Sequence, residues 1–264
     1  MANSRERAHE AVEGPTAVIL CGGLGTRLRS LFPDRPKALV PVAGRPFLAW
    51  QLDWLRSRGV GRVLLAAGHG ASQLSQWRNH NASEFDLEID VVIEPEPLGT
   101  AGALRWALPR LKSETFLALN GDTLLPNLDL SQLSPCTEIA GFGSRDSEVA
   151  TLAAVSVPAK GSQGRLKLDG ENRVAQFLDP NPGQASSSGW VNGGVYRLSK
   201  ALLEGFPKAR SLEREVFPEL AIQGRLRAAR TLPPLLDMGT PTGLDLLESF
   251  LGENKTDPPS PFSR

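Results

Sequence analysis

Ala17-Val-Ile-Leu-Cys-Gly-Gly-Leu-Gly-Thr-Arg-Leu28 joins a short aliphatic run to a glycine-rich turn. Four apolar residues, two of them β-branched, read as a buried strand. Glycines 22, 23 and 25 open backbone conformations closed to other residues and let main-chain N–H groups approach an anion. A strand that runs straight into such a turn is the opening of an α/β unit. The turn lacks the Gly-Lys-Ser/Thr of a Walker loop and the G-x-G-x-x-G spacing of a dinucleotide-binding turn. Taken alone, it is equally a tight strand-to-helix connection.

The pattern repeats downstream. A helix is predicted near Pro46 to Ser57, then a strand Arg62 to Ala66, a helix near Ala71 to Trp77, a strand Ile89 to Ile93, a helix Thr100 to Leu108 and a strand Phe116 to Leu119. This β-α-β-α order predicts an α/β fold with a mostly parallel sheet and helices on both faces. In the Pro46 helix, Phe47, Trp50 and Trp54 recur at three and four residues, as do Leu48, Leu52 and Leu55. Pro46 at its start and Gly59 after its end agree with helix boundary chemistry. With nothing basic interleaved, its aromatic residues read as core rather than as a platform for bases. Thr151 to Val157, Arg165 to Leu168, Arg173 to Leu178 and Trp190 to Leu198 read as strands between Gly- or Pro-rich turns, predicting antiparallel additions. The polar stretch Asp179 to Gly189 is long enough to be a lid over a substrate.

A chain of 264 residues with 41% hydrophobic residues predicts one domain, placed at residues 15–251 between tails at 1–14 and 252–264. With 29 basic and 29 acidic residues the net charge is zero, which argues against a nucleic-acid or anionic-membrane partner and makes phosphate recognition a local matter. Two cysteines, Cys21 and Cys136, and three histidines support neither a disulfide framework nor a zinc site. No secretory core opens the sequence and no apolar run approaches bilayer length, so a cytoplasmic location is expected. The oligomeric state is not legible.

Arg27 and Lys37 lie ten positions apart, beside the glycine turn. Nucleotidyl transfer builds negative charge on the α-phosphate and the departing pyrophosphate, and two fixed cations beside amide donors stabilise such charge. Each cation by itself is as readily a solvated surface group. Asp122, in Asn120-Gly-Asp122, follows an apolar strand at the place where open α/β sheets hold their ligands. Mg²⁺ prefers few carboxylates plus phosphate oxygens and water, so Asp122 with Asp237 is a candidate pair. The plainer alternative is that Asp122 caps a turn and Asp237 a helix N-terminus.

Gly22-Gly-Leu-Gly-Thr-Arg-Leu28 with Arg35-Pro-Lys-Ala-Leu-Val-Pro-Val42 resembles the signature of the sugar-phosphate nucleotidyltransferases. Glu94-Pro-Glu-Pro-Leu-Gly-Thr-Ala-Gly-Ala103, Asn120-Gly-Asp-Thr123, Val191-Asn-Gly-Gly-Val-Tyr196 and Asp237-Met-Gly-Thr-Pro241 resemble further family segments, in the family's order. The resemblance implies a Rossmann-like, GT-A-like sheet and Mg²⁺-dependent joining of a nucleoside triphosphate to a sugar 1-phosphate. It assigns the triphosphate to Leu20, Gly22, Gly23, Gly25 and Thr26, with Arg27, Lys37 and Asp122 catalytic and Asp122 and Asp237 as metal ligands. Glu94, Leu98, Gly99 and Thr100 would face the base, where a carboxylate accepting from the N1 and N2 donors of guanine favours GTP; alternatively Pro95, Pro97 and Gly99 only shape a connection and Thr100 caps a helix. Gly164, Asp179, Asn192 and Gly193 would hold the sugar phosphate, although Asn192 could instead satisfy nearby backbone.

Within the family, the similarity runs toward the D-glycero-α-D-manno-heptose 1-phosphate guanylyltransferases, through Pro-Leu-Gly-Thr-Ala-Gly-Ala, Asn-Gly-Gly-Val-Tyr and the helix start Ser211-Leu-Glu213. Mannose, glucose or N-acetylmuramate 1-phosphate, and dTTP, UTP or ATP, are the alternative substrates. One departure stands out. Family members carry an acid followed by a phosphate-contacting lysine where this chain has Asp179-Pro180. Lys160, Lys167 or Arg173 would have to substitute, or the protein is a catalytically silent sugar-nucleotide sensor. A glycosyltransferase would need an Asp-x-Asp pair that Asn120-Gly-Asp122 lacks, and molybdenum-cofactor nucleotide transfer fits the Arg27 to Lys37 spacing less well.

Overall fold

The aliphatic run at the start forms β1 (Thr16–Leu20), buried up to its last residue. The computed structural model describes residues 14–23, 31–133, 150–157, 165–178 and 189–253. β2 (Pro41–Val42) and β3 (Arg45–Pro46) make a small ribbon leading into α1 (Phe47–Ser57). β4 (Arg62–Ala67), α2 (Ala71–Asn81), β5 (Glu88–Ile93), α3 (Gly99–Ala107), β6 (Thr115–Asn120) and β7 (Thr123–Leu124) complete the first half. After it come β8 (Ala150–Val157), β9 (Arg165–Leu168), β10 (Val174–Leu178), β11 (Gly189–Ser199), α4 (Lys200–Gly205), α5 (Phe217–Ile222), β12 (Leu226–Thr231), β13 (Leu236–Asp237) and α6 (Pro241–Glu253).

The main sheet runs β10-β9-β11-β6-β1-β4-β5, with β8 on the other edge of β11 and β12 beside β8. β6, β1, β4 and β5 are mutually parallel, and β11 lies antiparallel to β6, β8 and β9. The sheet is therefore mixed, mostly parallel in the first half and antiparallel about β11 in the second. Alternation along a strand sends successive side chains to opposite faces: Val63 and Leu65 of β4 join one core, Leu64 and Ala66 the other. Strands buried on both sides need continuous aliphatic runs, which is why β1 and β4 show no polar alternation. Leu48, Leu52 and Leu55 of α1 cover the first face together with Leu244, Leu247 and Leu251 of α6. Leu104 of α3, Leu202 and Leu203 of α4 and Phe217 and Leu220 of α5 cover the second.

Phe47, Trp50 and Trp54 are core residues, and Gly59 follows the α1 end at φ 78°. α2 continues four residues past Trp77, and α3 starts one residue earlier than the pattern implied. α6 runs to Glu253, two residues past the boundary drawn from sequence. The expected N-terminal tail (except Gly14), the remainder of the C-terminal one and most of the candidate lid lie outside the described residues, as does Cys136. Among the described residues no helix is long and apolar enough to cross a membrane.

Candidate active site

Parallel strands end together, and their C-terminal ends here enclose a cavity of about 400 Å³, within the range that holds a small ligand. Leu20, Gly22, Gly23 and Lys37 line it with Asp122, and Glu94, Gly99 and Thr100 line its other side. Two hydrogen bonds brace the loops that leave the strands: Cys21 N–H donates to Ala66 O at 2.8 Å and Gly121 N–H to Leu20 O at 3.1 Å. Gly22 is needed for space. A Cβ there would stand 2.5 Å from Glu94 Oε1 and 3.2 Å from Gly68 N, so any side chain would push the Glu94 carboxylate aside.

Lys37 sits in a single 3₁₀ turn, Lys37–Leu39, anchored by the buried Ala38 and Leu39. Its Nζ lies 2.5 Å from Asp122 Oδ2, with the two side chains 18% and 30% exposed. Thr123 Oγ1 donates to the other carboxylate oxygen at 3.0 Å. β7 and β13 pair Asp237 with Thr123, and Met238 N–H donates to Asp122 O at 3.0 Å, so the turn that carries Asp122 lies beside the end of β13. Asp237 Oδ1 accepts from Gly239 N–H at 2.6 Å. The described residues include no cluster of three metal-ligating side chains. Asp122 lines the cavity, while Asp237 lies on the neighbouring strand and is not among the lining residues. A carboxylate facing that space fits Mg²⁺, which takes few carboxylates and fills its remaining positions from phosphate and water.

Glu94 occupies the opposite wall and accepts from Leu98 N–H at 3.1 Å. Burial raises its pKa, and the Leu98 amide partly offsets that rise. Cys21 lies between the two acids: burial first, then Asp122 and Glu94, push its thiol up to about 12, so it forms an inert floor. Thr100 does not cap α3. Its hydroxyl accepts from Leu212 N–H at 2.8 Å and donates to Glu213 Oε2 at 3.1 Å. Glu213 also accepts from Ser211 Oγ and, through Oε1, from the buried Tyr196 hydroxyl at 3.2 Å. Burial, with Glu213 next, holds that phenol well above its ordinary range.

On the sugar side, Asn192 spends its amide inside the fold, accepting from Gly194 N–H at 3.0 Å and donating to Tyr196 Oη at 3.0 Å. Gly193 faces inward: a Cβ would meet Leu125 Cδ1 at 2.8 Å and Val155 Cγ2 at 3.1 Å. Gly194, at φ 69°, lets β11 bulge and pass close to the Asn120 amide and Thr123 hydroxyl. Asn192 thus reaches the site by shaping the strand that borders Asn120. Gly25, Thr26, Arg27, Gly164, Asp179 and Pro180 lie outside the described residues, and so does Lys160. Of the other basic candidates, Arg173 pairs with Glu171 at 2.8 Å at the turn end of the β9–β10 hairpin, and Lys167 is exposed on β9 opposite Gln176.

Sequence reasoning passed over three residues. Gln51, Tyr196 and Glu213 all make hydrogen bonds that hold site segments together. Gln51 carried a signal, a polar residue set among the apolar positions of α1.

Residues 16–242 match the model of the nucleotidyl transferase family. The chain belongs to that family. Its members similar to this chain include a mannose-1-phosphate guanylyltransferase of Mycobacterium tuberculosis, 32% identical over 229 residues, covering 85% of this chain and 61% of that one. Another is a D-glycero-alpha-D-manno-heptose 1-phosphate guanylyltransferase of Campylobacter jejuni, 32% identical over 202 residues, 76% of this chain and 83% of that one. Among solved structures, HddC from Yersinia pseudotuberculosis complexed with GMP-PN superposes with a TM-score of 0.75 at 29% identity, covering 90% of this chain and 99% of that one. The chain spans about three fifths of the mycobacterial relative's length. The cavity at the strand ends lies wholly within the matched residues.

Proposed function

We propose that this protein transfers a nucleotidyl group from a nucleoside triphosphate to a sugar 1-phosphate, with GTP and D-glycero-α-D-manno-heptose 1-phosphate as the leading pair. The observation that carries the proposal is the contact of Lys37 with Asp122 in a cavity bordered by Gly22, Gly23 and Glu94. A cation and an acid held face to face in a partly buried cleft are arranged to receive a metal-bound polyphosphate. The guanylyltransferase names of the relatives, and the GMP-PN held by the Yersinia neighbour, support guanine. A mannose-1-phosphate and a heptose-1-phosphate guanylyltransferase are equally close to this chain, each at 32% identity.

A sugar phosphate oxygen attacks the α-phosphorus in line; the P–O bond to the β-phosphate breaks and pyrophosphate leaves with the electron pair. The nucleophile is already an anion at neutral pH, so neither a general base nor a covalent intermediate is required, and rate comes from positioning and charge. Lys37 neutralises the phosphate charge, with Arg27 in the same role; the amides of Gly22, Gly23 and Gly25 cradle the phosphates. Asp122 and Asp237 would hold Mg²⁺, which supplies charge neutralisation of the triphosphate when bound. Glu94 is placed to accept hydrogen bonds from the base.

Pyrophosphate release, measured for GTP, dTTP, UTP and ATP against heptose, mannose and glucose 1-phosphates, tests the proposal. Turnover is expected with GTP first. Asp122→Asn should lower kcat by about 10²-fold or more with the melting temperature nearly unchanged; near-wild-type kcat in that variant would remove the acid from the reaction.

A further inference from the structure

α1 is apolar nearly all round, yet Gln51 in its middle is completely buried. A buried amide is costly unless its donors and acceptor are satisfied. Both Nε2 hydrogens are used, donating to Asn120 O at 3.0 Å and to Thr123 O at 2.9 Å. Oε1 has no partner among the described residues. Met or Leu at this position would avoid that unpaired acceptor, so what the glutamine contributes is its pair of donors.

Those two carbonyls bracket Gly121 and Asp122. The backbone between them is tied at two more points, by Gly121 N–H to Leu20 O and by Met238 N–H to Asp122 O. Gln51 thus supplies two of the four hydrogen bonds that fix the turn from which Asp122 points at Lys37. The same helix begins just after the lysine's own turn, and Phe47 N–H donates to Val40 O at 2.9 Å across the intervening ribbon. α1 therefore holds both partners of the Lys37–Asp122 contact, one through its N-terminal end and the other through the Gln51 amide.

We infer that Gln51 is a positioning residue: its buried carboxamide clamps the Asn120–Thr123 turn and sets the aim of Asp122. The inference rests on the role proposed for Asp122. A merely structural glutamine would affect stability alone, whereas an aiming one affects turnover, since small misplacement of a reacting constellation costs about 10²-fold.

Gln51→Met keeps the volume and removes the donors. It is compared with Trp54→Phe, a core change in the same helix at a side chain whose Nε1 has no partner among the described residues. For Gln51→Met, kcat is expected to fall about 10- to 100-fold with the KM values for both substrates nearly unchanged. Amide hydrogen exchange should quicken at Gly121, Asp122, Thr123 and Met238 while β6 keeps its protection. Trp54→Phe should lower the melting temperature and leave kcat and those amides alone. A Gln51→Met enzyme with wild-type kcat, or one whose turn exchanges no faster than in Trp54→Phe, overturns the inference. If the wild-type protein releases no pyrophosphate from any substrate pair, the functional proposal fails, and the exchange comparison still decides whether Gln51 holds the turn.

Discussion

Glu94, proposed to face the base, is also a residue whose ionisation bears on fold stability. Its carboxylate is wedged between Gly22 and the Leu98 amide, and burial raises its pKa from the ordinary 4.5. For an acid shifted upward, the stabilising contribution is complete below the unfolded value and disappears as pH climbs through the folded one. Glu94→Gln, which cannot ionise, should therefore gain melting temperature relative to wild type between pH 4 and pH 7, while losing affinity for the nucleotide. A melting difference that stays constant across that range would show that the carboxylate is not strained by burial. The residues that the sequence brought forward most clearly, Lys37, Asp122 and Glu94, are those whose chemistry is rare in an apolar setting. Asn192 was harder to read, because hydrogen bonding to Tyr196 and Gly194 uses the same atoms that would grip a hydroxyl. Gln51 was legible only as an oddity, since a helix wheel reports that a polar group is inward and not what it meets there.

At the level of elements, β11 carries the most constraint. It pairs with β6 and β9 along one side and β8 along the other, and it breaks register between Asn192 and Tyr196 where Gly194 turns to positive φ. Gly194→Ala would force a left-handed backbone on a β-substituted residue and crowd the Asn120 amide at 2.9 Å. A loss of about 1–3 kcal/mol is expected, read as a melting temperature lower by several degrees, with turnover reduced because Asn120 borders the acid. Unaltered stability would mean the bulge can be accommodated without glycine. β1, β4 and β6 were legible because strands covered on both sides need unbroken aliphatic runs. β12 was not, since Arg227 and Arg230 flank Ala228 and Ala229 and small side chains give a weak apolar signal. The two-residue strands β2, β3, β7 and β13 exist only through partners distant in sequence, and no local pattern specifies them. α6 displays Leu244, Leu247 and Leu251 at helical spacing.

Across the molecule, the described residues form two cores on opposite faces of one sheet. Leu48 belongs to the α1 side and Leu104 to the α3 side, and both are wholly buried. Each change to alanine should cost about 2–5 kcal/mol. Because the sites belong to different cores on opposite faces of the sheet, the double variant should lose close to the sum, in a single unfolding transition. Strong non-additivity in denaturant titrations would mean that the layers are coupled through the strands. The layered architecture was predictable from the alternation of elements, but the centre of the sheet was not: a one-dimensional pattern does not reveal that β6 lies between a strand a hundred residues earlier and one some eighty residues later.

That placement has a consequence for biosynthesis. Chains emerge from the ribosome N-terminus first, and β6 can join β1 early, yet its other edge stays unpaired until β11 has been translated. Asp122 waits longer still, since the amide that fixes its carbonyl belongs to Met238. A truncated or stalled product would thus display an open sheet edge and an unformed acid turn, leaving it inactive and prone to capture by chaperones.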